Sequence, residues 1–171
     1  MIYLQAPDYI ENKIRSTSVF LAGGISNCPQ WQSYIKDSLV DIGDELTLIN
    51  PRQQDYLFDD AVAARRQIEW EYEYLHRVDT IAFWFPKETV CPITLFELGC
   101  AVTRSKNESL RIFVGCDPEY SRKFDLEVQL AIRNTYIEIV DSLDELSHQI
   151  RKRVTTSNMI KELCKKLKRN Q

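Results

Sequence analysis

What these 171 residues lack narrows their use before any motif is read. There is no surplus of basic charge. The 22 Lys and Arg against 25 Asp and Glu leave a formal net charge of −3, which argues against nucleic acid as the main partner. No apolar run approaches the roughly 20 residues that span a bilayer, so no membrane partner is expected. The opening MIYLQAPDYIENK has no basic segment followed by an apolar one, and no secretory leader is expected. The five cysteines (Cys28, Cys91, Cys100, Cys116 and Cys164) are odd in number, widely spaced and never in C-x-x-C. A disulfide framework or a structural zinc site would look different, and reduced thiols in a cytoplasmic protein are the simplest expectation. His76 and His148 have no ligand-like neighbours, so neither a metal nor a cofactor is expected.

What is present reads as a globular α/β chain. With 44% hydrophobic and 27% charged residues it is long enough for one continuous core. Strands are expected at 18–22 (SVFLA), 46–49 (LTLI), 80–85 (TIAFWF), 110–115 (LRIFVG) and 136–140. Helices are expected between them. One runs from a cap at Asn27, with Pro29 in its first turn, to Gly43. A long charged one covers 59–76, and others cover 94–105, 124–132 and 141–154. The last is entered through Ser142 with Glu145 three residues on. Residues 155–158 read as a break before a basic amphipathic terminal helix. The expected organisation is therefore one domain over 1–155 and a terminal helix over 156–171. Alternating strands and helices call for a flavodoxin-like, doubly wound five-stranded parallel sheet of order 2-1-3-4-5. Residues 1–17 add an edge strand or wrap the sheet.

The stretch 79–105 carries the main functional clue. A buried strand, a short polar loop and a helix form half of a βαβ unit, and the loop sits where open α/β sheets bind ligands. Glu97 is expected in the first turn or so of that helix. Thr94-Leu95-Phe96-Glu97 fits a capping box, in which Glu97 would reach back to the cap amide. The same placement lets the helix dipole hold Glu97 ionised and ready to attack an electrophilic sugar carbon. The expected strand order brings Gly23-Gly24, where the backbone turns sharply, beside the loop 86–94. Arg52, after the second strand, faces either an anionic ligand or a surface ion pair.

Together these stretches resemble the nucleoside 2-deoxyribosyltransferase family. The likeness rests on FLAGG (Phe20–Gly24), QIEWE (Gln67–Glu71), FWFP (Phe83–Pro86) and ELG (Glu97–Gly99), and spans about residues 18–140. It is closest to a divergent branch sharing QIxWE and FWFP. The resemblance implies this doubly wound fold, assembly into dimers or higher oligomers, and sites completed by a neighbouring subunit. It implies Glu97 as nucleophile. Glu71 falls on the acid, an Asp in the family, that works at the nucleobase as proton donor. A straight helix ending near His76 would hold Glu71 below the carboxyl edge of the sheet, so that role requires tilt or an early helix end. Cys91 falls where transferases carry an Asp for the sugar 5′-hydroxyl and nucleotide N-hydrolases a Ser for the 5′-phosphate. Asp125 falls where the family places an Asn or Ser that enters the neighbour's site, and its charge disfavours a bound phosphate. Phe20 replaces a Tyr that supports the nucleophile.

On this resemblance the chain is expected to cleave the N-glycosidic bond of a 2′-deoxynucleoside through a covalent glutamyl–sugar intermediate. The deoxyribosyl group would pass to another nucleobase, as in purine and pyrimidine salvage. Its partners are then a small nucleoside or nucleotide, a free base and further copies of itself. Two alternatives stay open. One is a nucleoside 5′-monophosphate N-hydrolase, and the other a non-catalytic nucleotide-binding or sensing module, since a fold does not certify chemistry.

Overall fold

The computed structural model describes residues 1–11, 14, 16–53, 60–133 and 136–169. Six strands run through them: β1 (Ile2–Gln5), β2 (Thr17–Gly23), β3 (Leu46–Asn50), β4 (Thr80–Phe85), β5 (Arg111–Cys116) and β6 (Ile139–Val140). They form one parallel sheet in the order β1-β3-β2-β4-β5-β6. The expected order 2-1-3-4-5 therefore describes the five strands from β3 to β6 and leaves out β1. The sheet has six because Ile2 to Gln5 pair with Thr47 to Asn50 along its edge. Leu4 is buried there, and Asn50 Nδ2 donates to the Tyr3 hydroxyl at 2.6 Å.

Central strands covered on both faces must be apolar throughout. Every residue of β3 and β4 is buried, as is every residue of β2 before Gly23. One face packs Phe20, Ala22, Ile81 and Phe83 against α2 (Ala61–Arg77), α3 (Pro92–Arg104) and α4 (Lys123–Ile132). The other packs Val19, Leu21, Ala82 and Trp84 against α1 (Trp31–Ser38) and α5 (Leu143–Arg169). The layers are doubly wound.

Several boundaries differ from expectation for local reasons. α1 starts at Trp31, because Asn27 takes a positive φ of 58° and Gln30 is the residue before the helix. It ends at Ser38, and a 3₁₀ segment (Val40–Glu45) interrupted by Gly43 at φ 68° completes the connection. α2 is capped by Asp60, whose Oδ1 accepts from the amides of Val62 and Ala63 at 2.8 and 3.2 Å. Asp59, the expected start, lies outside the described residues. Tyr136 is fully exposed, and β6 shrinks to two residues. The Ser142–Glu145 box forms, with the Glu145 amide donating to Ser142 Oγ at 3.2 Å and Glu145 Oε2 accepting from the Asp141 amide at 3.1 Å. No break follows it. The Thr155 and Thr156 hydroxyls donate to the carbonyls of Arg151 and Lys152, one turn back, and α5 runs through to Arg169.

Candidate active site

The loop after β4 enters α3 through an unusual residue. Cys91 precedes the helix at φ 50°, ψ 55°, in the left-handed region, and Pro92 takes the first helical position. Thr94 is therefore inside the first turn, and the capping box expected there does not form. Glu97 is the sixth residue of α3, in its second turn. The free amides of a helix end serve its first turn, so the expected hold of the dipole on an ionised Glu97 is lost. Starting the helix three residues earlier seats Glu97 about 4.5 Å further along it than expected, where the charge of Glu71 on α2 reaches it.

α2 is oriented by Trp70. Its Nε1 donates to the Asp8 carbonyl at 2.8 Å, and its ring lies 4.5 Å from Tyr74 and 6.2 Å from Phe20. Gln67 and Glu71 follow one turn apart on one side of this helix. Gln67 Nε2 donates to the Pro51 carbonyl at 2.7 Å, at the carboxyl end of β3, and to Glu71 Oε1 at 2.6 Å. Glu71 is thus tied through Gln67 to the edge of the sheet. No early helix end is needed, since α2 continues to Arg77. The charge of Glu71 reaches Glu97, so the two carboxyls lie near each other although α2 runs its full length.

The two carboxyls act on each other. Burial, and then the charge of Glu71, push Glu97 up to about 8. Burial also raises Glu71, against the lowering effect of its hydrogen bond from Gln67. Glu97 has no hydrogen bond or ion pair among the described residues. With no cation facing them among the described residues, the two half-buried carboxyls titrate as a pair, and Glu97 is the one that keeps its proton near neutral pH. Such a pair contains a carboxylic acid and a carboxylate at once, as a glycosidic bond cleavage with a covalent intermediate requires.

A family model described as nucleoside 2-deoxyribosyltransferase-like matches residues 16–120, which include both carboxyls and the loop between β4 and α3. The chain belongs to that family. The match ends at Tyr120, so α4 and α5 lie beyond it. A crystal structure titled as a conserved protein from Enterococcus faecalis V583 is similar at 14% identity with a TM-score of 0.54, covering 81% of this chain and 99% of that one. At that identity the likeness concerns the fold. No curated protein matches the chain.

The other residues expected at a nucleoside 2-deoxyribosyltransferase-like site fall into three groups. Gly23 and Gly24 stand beside the β4–α3 loop, as expected. A Cβ on Gly23 would lie 2.4 Å from the Trp84 carbonyl oxygen and 2.6 Å from the Trp31 ring, and one on Gly24 2.7 Å from Pro86. Cys91 is buried in the same cluster. Its thiol is 3.5 Å from the Thr89 carbonyl and is pushed up to about 12 by burial. Tyr120 closes this loop, donating to the Val90 carbonyl at 2.7 Å with its ring 5.3 Å from Phe85. Arg52 and Phe20 are engaged inside the protein. The Arg52 guanidinium donates to Gln32 Oε1 at 3.1 Å and to the carbonyls of Gly24 and Pro29 at 3.3 and 3.1 Å. Phe20 is 1% exposed, under Trp70. Asp125 is apart from the pair, exposed on α4 and in an ion pair with Arg122 at 3.3 Å. Sequence reasoning missed Gln67 as a site residue. Its signal was the four-residue spacing from Glu71 inside QIEWE.

Proposed function

We propose that the chain cleaves the N-glycosidic bond of a 2′-deoxynucleoside with Glu97 as nucleophile and Glu71 as proton donor, and passes the sugar to a second nucleobase. The observation that carries this reading is the placement of two half-buried carboxyls, Glu71 on α2 and Glu97 on α3, near enough for the charge of Glu71 to raise Glu97. Membership of the family supports the substrate class. In the first half-reaction the carboxylate of Glu97 forms a bond to C1′ while the C1′–N bond breaks with its electrons going to the base. The base takes the pair's proton from Glu71. A sugar without a 2′-hydroxyl approaches the required oxocarbenium-like state more readily, since an electron-withdrawing group is missing. The second half reverses these steps with an incoming base, whose proton returns to Glu71.

A homo-oligomer completes the proposal. Between α3 and α4 a groove of about 410 Å³ is lined by Leu95, Leu98, Val102, Leu126, Leu130 and Asp125, and the same two helices leave Ile93 66%, Phe96 71%, Phe124 74% and Ile132 73% exposed. Apolar exposure on that scale suits an interface, and it brings Asp125 to a neighbouring copy.

The test follows products by chromatography while the protein is incubated with each deoxynucleoside and deoxynucleotide, with and without a second free base. Exchange of bases is the expected result. Free base without exchange would identify a hydrolase, and binding without either product a sensing module. Base release that survived Glu97→Ala undiminished would remove Glu97 from the mechanism.

A further inference from the structure

Gln67 is 8% exposed and both ends of its amide are engaged. Nε2 donates to the Pro51 carbonyl at 2.7 Å and to Glu71 Oε1 at 2.6 Å, while Oε1 accepts from Gln53 Nε2. With its oxygen held by Gln53, the amide meets Glu71 only as a donor. An N–H pointed at a carboxyl oxygen favours that oxygen unprotonated. Glu71 Oε2 has no hydrogen-bond partner among the described residues, and neither oxygen of Glu97 has one. Of the described charged groups, only Glu71 acts on Glu97, and Gln67 is the polar partner of Glu71.

We propose that Gln67 is the positioning residue of the pair: it holds Glu71 Oε1 as an acceptor, leaves the proton on Glu97 rather than on Glu71 while no substrate is bound, and leaves Oε2 as the one oxygen of Glu71 that passes a proton to a leaving base. This rests on the acid and nucleophile roles above. On substrate binding the O–H bond at Glu97 breaks and one forms at Glu71 Oε2, with the charge of the pair unchanged. The base then takes that proton as the C1′–N bond breaks, and Glu97, now a carboxylate, closes the bond to C1′. One proton leaves the pair and one ester forms. An empty site thus keeps its nucleophile covered, and the substrate uncovers it.

The test reads the protons directly. The full chain, carrying glutamate labelled with carbon-13 at its side-chain carboxyl, is titrated by NMR, with the two signals assigned from E71Q and E97Q. The upper titration step is expected on Glu97 and the lower on Glu71. Gln67→Leu is expected to raise the Glu71 midpoint by about one pH unit or more, the size of a hydrogen bond to a charged group, and to lower that of Glu97. If Q67L does not fold, Q53A frees the same amide to turn and should shift both midpoints in the same directions. Unmoved midpoints in a folded variant overturn the proposal. No substrate enters this measurement. A protein that releases no base yet shows the shifts keeps this inference and loses the enzymatic reading, and base release with unmoved midpoints does the reverse.

Discussion

Desolvation, and then the charge of Glu71, set Glu97 near 8, since its second-turn seat on α3 offers no free amides and, among the described residues, no cation. The cost falls on stability, with a definite sign. Between its ordinary value of 4.5 and about 8, native Glu97 stays protonated while the unfolded chain has released the proton. Native stability therefore falls as pH rises through that window and levels off above it. Glu97→Gln is expected to remove this slope. Because the group is only half-buried, the gain at pH 8 is expected to be about 1–2 kcal/mol after discounting for solvent, read by urea denaturation at several pH values. Activity should move the other way. E97Q and E97A are expected to lower base exchange on the order of 10³-fold or more. In the wild type, exchange should fall above about pH 8 as the pair loses its one proton, and fall again in acid as Glu71 also protonates. A rate that rose steadily through pH 9 would contradict the one-proton pair.

At the scale of elements, legibility followed pattern and failed at punctuation. β4 occupies the residues expected of it, since a six-residue apolar run ended by Pro86 has few other fates. The start of α3 was misread because Cys91 adopts a conformation that its residue type rarely takes, and only the packing of the loop onto Gly24 and Tyr120 selects it. Asn27 was misread as a cap because it takes the left-handed region, which Asn adopts more readily than most residues, and α1 starts only at Trp31. Thr155 and Thr156 looked like a break because hydroxyls compete with the backbone, yet here they bond one turn back and leave the helix intact. Gln67 was visible as part of a motif, but its partners, Pro51 and Gln53, come from another element, and no local pattern names them. Two glycines separate these effects in one experiment. Gly24→Ala must push against Pro86 at 2.7 Å and is expected to destabilise by about 1–3 kcal/mol. Gly99→Ala meets nothing within 4 Å on an open helix face and is expected to stabilise by up to about 1 kcal/mol. Thermal unfolding of both variants checks the pair.

For the whole molecule, the family match covers α2 and α3, which carry the pair, while α4 and α5 lie outside the matched stretch. If the α3–α4 face joins copies, Phe96→Asp should convert the oligomer to monomer in sedimentation equilibrium and lower exchange without unfolding the chain. An oligomer unaffected by F96D would move the interface elsewhere. Thiol placement adds a consequence of another kind. Cys100 and Cys164 are exposed, whereas Cys91 is buried under the loop that leads into α3. An alkylating reagent should therefore mark the first two at once and Cys91 only when the loop from Pro86 lifts. Counted by mass spectrometry, the delay on Cys91 becomes a clock for loop opening, and a nucleoside seated against that loop would slow it.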